Sequence, residues 1–197
     1  DEDVDGIADL AAKVRARYFQ VPKNKRAPGL RITVSASVFI PKPFTPFQFE
    51  PQDTREEIER KQKLLVDSVK TKKIKVSWHD PNVSILEAVL AKGDRRLCNV
   101  IYSAWKKGCK FDSWSEYYKF DKWMEAFEEC GVSPAFYANR HIEYNEILPW
   151  DHLDYYVSKD FFVRENKTAR AEKTTPHCRQ KCSACGVTKH IGGKCFD

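Results

Sequence analysis

The sequence predicts an α/β fold in which parallel strands are joined by crossover helices. Three observations carry this. Apolar residues recur every third or fourth position over residues 3–19 and 54–70. They recur every second position over 31–40 and 74–78. The two periods alternate along the first 107 residues as helix, strand, helix, strand, helix, which is the pattern of a parallel sheet.

The elements follow in order. Over 3–19, Val4, Ile7, Ala8, Ala11, Val14 and Tyr18 share one helical face. Acids crowd the start and Lys13, Arg15 and Arg17 the end, as the helix dipole favours. Pro22, Pro28 and Gly29 break the chain into a basic loop. Strand 31–40 alternates, with Ile32, Val34, Ala36, Val38 and Ile40 on one face, then meets Pro41, Pro43 and Pro46. Thr54 and Glu57 form a capping box, and Ile58, Leu65 and Val69 carry the helix to about residue 70. Strand 74–78 sets Ile74, Val76 and Trp78 against Lys75 and Ser77 and ends at His79 and Asp80. Two helical stretches follow, 82–91 and 95–107, divided by Gly93. Residues 108–163 hold most of the aromatic rings, with a helix over 121–130 that stops at Gly131 and a short helix near 158–165.

Composition excludes several classes. The chain has 197 residues, 42% of them hydrophobic, which is too apolar for a disordered chain. Its longest apolar run, from Val34 to Pro41, falls far short of the roughly 20 residues of a membrane span. Asp1 to Asp5 do not resemble a signal peptide. The sole methionine is Met124, so the sequence reads as a fragment or a processed piece. Net charge is 34 − 28 = +6. Residues 164–195 carry eight bases and two acids, 8 − 2 = +6, so the excess sits in the tail. A basic tail beside many aromatic rings suits RNA, with charge for phosphates and rings for stacking.

Two places carry candidate chemistry. In parallel sheets, ligands bind beyond the carboxyl ends of the strands. Those ends bring Lys42 and Thr45 from the first strand, and His79 and Asp80 from the second. Ser35 and Ser37 add a small polar face. A neutral imidazole at His79, with Asp80 beside it, suits proton transfer near pH 7. The other reading puts the serines in solvent and makes Asp80 a helix cap. In the tail, Cys178, Cys182 and Cys185 have C-x3-C-x2-C spacing, and Cys195 follows ten residues on. Four thiolates close a tetrahedral zinc site or hold an iron–sulfur cluster, and spacing does not separate the two. His177 and His190 are spare donors. The Cys178–Cys195 group and the odd count of seven cysteines favour a reducing compartment over a disulfide framework. No phosphate-binding glycine loop and no nucleophile elbow is present. Asp94-Arg95-Arg96 after Gly93 is either an anion contact or a solvated turn.

Five segments in order resemble one family. They are Val34-Ser-Ala-Ser-Val-Phe-Ile-Pro-Lys-Pro-Phe-Thr-Pro-Phe-Gln48, Ser77-Trp-His-Asp-Pro81, Leu90-Ala-Lys-Gly-Asp-Arg-Arg-Leu97, Phe111-Asp-Ser-Trp114 and Leu148-Pro-Trp-Asp-His152. The chain is similar to the C-terminal part of the radical S-adenosylmethionine proteins that carry a cobalamin-binding-type domain. The resemblance implies the C-terminal portion of a partial (β/α)6 TIM-like barrel, with 31–40 and 74–78 as strands five and six. It implies S-adenosylmethionine and a [4Fe-4S] cluster in the full-length protein, with cobalamin as a further cofactor. The cluster-binding cysteines, the upstream barrel strands and the cobalamin-type domain would precede Asp1 and be this chain's partners. In such enzymes an aromatic residue precedes the last cysteine of the cluster motif. Here that residue is Ala184, so the tail motif reads as zinc or an auxiliary iron–sulfur cluster and not as the catalytic one.

The expected organisation is a barrel part over 1–108, an aromatic-rich helical extension over 109–165 and a basic metal-binding tail over 166–197. The expected whole is a cytoplasmic radical enzyme acting in methylation or RNA modification, with this chain inactive alone. Ser35, Ser37, Lys42 and Thr45 would contact cofactor, His79 and Asp80 would act in catalysis, and Cys178, Cys182, Cys185 and Cys195 would bind metal. The alternative is a zinc-knuckle, RNA-binding module without catalysis.

Overall fold

The computed structural model describes residues 1–193 and 195. Lys194, one of the eight tail bases, lies outside the described residues with Phe196 and Asp197. The chain divides into two compact units, Asp1–Phe39 with Asp53–Leu86, and Ile40–Gln52 with Glu87–Asp197.

The first unit contains α1 (Glu2–Gln20), β1 (Ile32–Ala36), α2 (Arg55–Ser68) and β2 (Ile74–Trp78). α1 packs on α2 and β1. Its buried positions are Ala8 and Ala11, small enough to let α2 come close. Glu2, Asp3 and Asp5 fill its first turn, where the amide groups are unpaired. At α2 the Thr54 side chain accepts a hydrogen bond from the Glu57 amide, as the capping box predicts. Ile58 and Leu65 of α2 are buried. β1 and β2 pair in parallel, Ile32 opposite Ile74 through to Ala36 opposite Trp78.

Two expectations are corrected here. Strand 31–40 is only Ile32–Ala36. β2 ends at Trp78, so residues 37–40 have no ladder partner, whatever their period. The partial TIM-like barrel is not found. The described residues hold one two-stranded sheet, and 47% of the chain is helical. Barrel strands bond a neighbour on each side. β1 and β2 bond only each other, and every later element among the described residues is a helix.

The division between the units falls within α3 (Pro81–Ala91). The second unit then contains α4 (Leu97–Lys106), α5 (Phe120–Glu129), α6 (Pro134–Ala138), α7 (Lys159–Arg170) and α8 (Thr188–Ile191), with a 3-10 turn at Pro46–Phe49. α4 buries Leu97, Val100 and Ala104, α5 buries Trp123, Ala126 and Phe127, and the two helices pack together. Gly131, at φ +62°, ends α5 in the left-handed conformation that a side chain would resist. A second cluster joins the 3-10 turn to α7: Phe49, Ile142, Leu148, Trp150 and Phe162 are buried together. Ser158 caps α7 by accepting from the Phe161 amide. No helix among the described residues is long and apolar enough to cross a membrane.

Candidate functional site

In the first unit a cavity of about 230 Å³ opens at the carboxyl ends of the strands. Ser37, Trp78, Ile7, Gln62, Lys61 and Asp53 are among its walls. Lys61 and Asp53 pair at 2.7 Å, and that hydrogen bond is the main reason the Lys61 pKa is raised. Of the two candidate serines, Ser37 lines this cavity and Ser35 does not; Ser35 is opposite Ser77 in the ladder. The His79 carbonyl accepts from Gln62 at 3.4 Å, and the His79 side chain is exposed. Asp80 starts α3: its carboxylate accepts from the Asn82 amide at 2.7 Å and its carbonyl from the Ser84 amide. This is the capping arrangement, which occupies the carboxylate.

Lys42 and Thr45 belong to the second unit. Lys42 pairs with Glu87, and the Thr45 hydroxyl donates to the Lys42 carbonyl at 2.7 Å. That turn places Phe44 at φ +57°. The six strand-end candidates therefore divide between the units, four in the first and two in the second.

Nothing in the sequence pattern marks the buried polar network that the structure shows in the second unit. Gln48, Lys92 and Asn166 are each at most 3% exposed. Gln48 accepts from the Phe44 amide at 3.0 Å and the Trp150 indole at 2.9 Å. Asn166 donates to the Pro46 carbonyl at 3.0 Å and Glu50 at 2.8 Å, and accepts from the Tyr144 hydroxyl at 2.6 Å. Arg170 grips both carboxylate oxygens of Glu50, at 2.9 and 2.8 Å. Burial pushes the Glu50 carboxyl up, but the hydrogen bonds from Arg170 and Asn166 outweigh it and leave the pKa lowered.

Lys92 closes the network by donating to the Glu50 carbonyl at 2.9 Å and the Arg140 carbonyl at 3.3 Å. Burial, and then the Arg140 charge, lower its pKa from 10.5 to about 8. Between those values the unfolded chain keeps a proton that the folded chain has shed, so stability rises with pH. Lys92→Met removes that slope and leaves two carbonyls without their donor. Its destabilisation is expected to be about 1–3 kcal/mol at pH 7 and to grow toward pH 10. Urea midpoints of both proteins at pH 7, 8.5 and 10 measure this; a gap that stays constant with pH refutes it.

The tail holds Cys178, Cys182, Cys185 and Cys195. Turn bonds from the Gln180 and Lys181 amides to the His177 carbonyl set the first cysteine. The Ala184 amide then donates to the Cys182 sulfur at 3.5 Å, with Ala184 at φ +52°. An amide aimed at a sulfur stabilises the thiolate, the form that binds metal. The Ser158 amide donates to the Cys185 carbonyl at 2.9 Å, and Arg164 donates to the Ser183 carbonyl, so α7 anchors this turn. The Cys195 pKa is raised, first by desolvation and then by the charges of Cys185, Cys178 and Cys182. No three of the described His, Cys, Asp or Glu side chains, the four predicted ligands included, are drawn into a shell that could hold an ion. Of the spare donors, His190 packs on the Tyr156 ring, centroids 4.3 Å apart.

Two openings that share Arg164 and Thr168 lie along α7, and the second reaches this turn. One, about 490 Å³, is lined by Asp160, Arg164, Lys167, Thr168 and Lys173. The other, about 220 Å³, is lined by Arg164, Lys181, Cys182 and Ser183 among others. Comparison with models of protein families, with curated proteins and with solved structures finds no match to this chain.

Proposed function

We propose that this chain is part of a radical S-adenosylmethionine enzyme and that its tail is a metal centre. The enzyme reading rests on the five segments that resemble that family. The metal reading rests on the C-x3-C-x2-C spacing of Cys178, Cys182 and Cys185, supported by the Ala184 amide directed at Cys182. Cys178, Cys182, Cys185 and Cys195 would hold zinc or an auxiliary cluster. Reductive cleavage of S-adenosylmethionine would be the chemistry of a separate cluster held by other cysteines. This chain would supply the cavity beside Ser37 and Trp78, whose Lys61–Asp53 pair would orient a polar group. Metal analysis of protein prepared without oxygen tests the reading. One zinc per chain, or iron with sulfide, supports it; neither metal refutes it.

A second reading is favoured by the basic openings beside the tail. RNA phosphates would pair with Arg164, Lys167, Lys173 and Lys181. The triple variant Lys167→Glu, Lys173→Glu, Lys181→Glu should then weaken RNA binding and flatten its salt dependence. Each lost phosphate contact removes about 0.7 from the slope of log K against log salt for a single strand. Binding with an unchanged salt slope removes the tail from this role.

A further inference from the structure

α4 carries two apolar stripes. Leu97, Val100 and Ala104 are buried. The other stripe, Ile101, Tyr102 and Trp105, is 45%, 56% and 55% exposed. A surface helix ordinarily turns polar residues outward. Tyr102 and Trp105 lie nearly parallel, 22° apart with centroids at 5.8 Å, and the Lys106 ammonium is 4.4 Å from the Tyr102 ring centre.

The segment after α4 continues the pattern. Lys119 donates to the Gly108 carbonyl at 3.2 Å, which closes residues 108–119 into a loop. Within it Phe111, Trp114 and Tyr117 are 71%, 61% and 53% exposed. Phe111 sits at φ +58°, a strained conformation for a bulky residue, with its ring edge-on to Tyr117. Five aromatic rings between residues 102 and 117 are therefore more than half exposed. Lys106 and Lys110, both exposed, lie in sequence between the helix pair and the loop trio. α4 has no acid, while Asp112 and Glu116 are the loop's acids.

We infer that these rings are a stacking platform for unpaired bases of a single-stranded nucleic acid. This rests on the RNA reading above and adds a second surface to it. Flat rings accept any base face, and the lysines complement the phosphates that join successive bases. An aliphatic protein partner would find one aliphatic side chain, Ile101, in the group and would leave the ammonium groups of Lys106 and Lys110 without anions. The polyanion answers both features at once.

Titration with a 15-nucleotide oligouridylate, and with oligothymidylate of equal length, tests this through tryptophan fluorescence. Bound bases should quench the wild-type signal with either or both strands; quenching by only one identifies the preferred strand chemistry. Trp105→Ala and Trp114→Ala should each weaken binding roughly five- to a hundred-fold. Trp105→Phe should retain most of it. Circular dichroism checks that each variant folds. The tail triple variant should lower affinity yet leave quenching at saturation intact, which separates the two surfaces. Alanine variants that bind like wild type overturn the platform and leave the tail reading standing. Wild-type protein that binds neither strand overturns both. A concentration-dependent dimer that Trp105→Ala dissolves, without quenching by either strand, assigns the rings to a second copy and overturns the platform.

Discussion

On the proposed metal reading, Cys182→Ser is expected to release the ion and to unfold residues 178–191 while the rest of the second unit stays folded. The tail has little else to hold it. Beyond α7, its one helix among the described residues, α8, spans four residues and buries none of them. Structural zinc supplies about 10–16 kcal/mol to small peptides at neutral pH, and a tail of this size has no core of comparable weight. The substitution replaces the sulfur ligand with a hydroxyl, which can still accept from the Ala184 amide but is a poor metal ligand. The buried cluster of Phe49, Ile142, Leu148, Trp150 and Phe162 contains no tail residue, so its unfolding transition should move little. Metal stoichiometry and limited proteolysis provide the measurement: new cleavage after Arg179 or Lys181, with metal gone, is the expected result. A variant that retains a full complement of metal would remove Cys182 from the ligand set.

Asn166→Ala should cost about 3 kcal/mol or more, an effect of similar rank. Asn166 is fully buried and serves three partners, the Pro46 carbonyl, Glu50 and the Tyr144 hydroxyl. Truncation leaves each short of one hydrogen bond in a site that water does not fill readily, and each such loss is worth about 1–3 kcal/mol. Asn166→Asp should be no milder, because it keeps only the acceptor and sets a carboxylate against Glu50. Urea denaturation reads both, as a lower midpoint at unchanged slope. A loss below about 1 kcal/mol would show that the network carries little stability.

The sequence made local structure legible. Thr54 and Glu57 announced α2, and β2 occupies the five residues that its alternation marked. Periodicity failed where pairing decides: Val38 and Ile40 continue the strand pattern past the last residue of β2 and are not strand. It also could not reveal closure. Alternating helix and strand are compatible with a barrel, but a barrel requires further strands beside β1 and β2, and the described residues hold none. Among candidate site residues, Ser37, singled out with Ser35 for a small polar face, lines the cavity, and Ser35 does not. Asp80 has the capping role that its position before Pro81 equally allowed. Lys42 was expected at a ligand mouth from its position alone, while the carboxylate that pairs with it, Glu87, is 45 residues away. The buried network stayed hidden for the same reason. Gln48, Lys92 and Asn166 look like surface residues until their distant partners are known.

The 3-10 turn at Pro46–Phe49 has a consequence for the order of events at the ribosome. The Pro46 carbonyl waits for Asn166, 120 residues later, and Gln48 waits for Trp150, 102 residues later. Phe49 has no exposed surface once folded, yet most of its cover, Ile142, Leu148, Trp150 and Phe162, is synthesised 93 to 113 residues later. At roughly 5–20 residues per second, that ring spends several seconds uncovered on a nascent chain. The cluster around Phe49 therefore closes only once α7 has emerged, and its apolar turn is open to a chaperone until then.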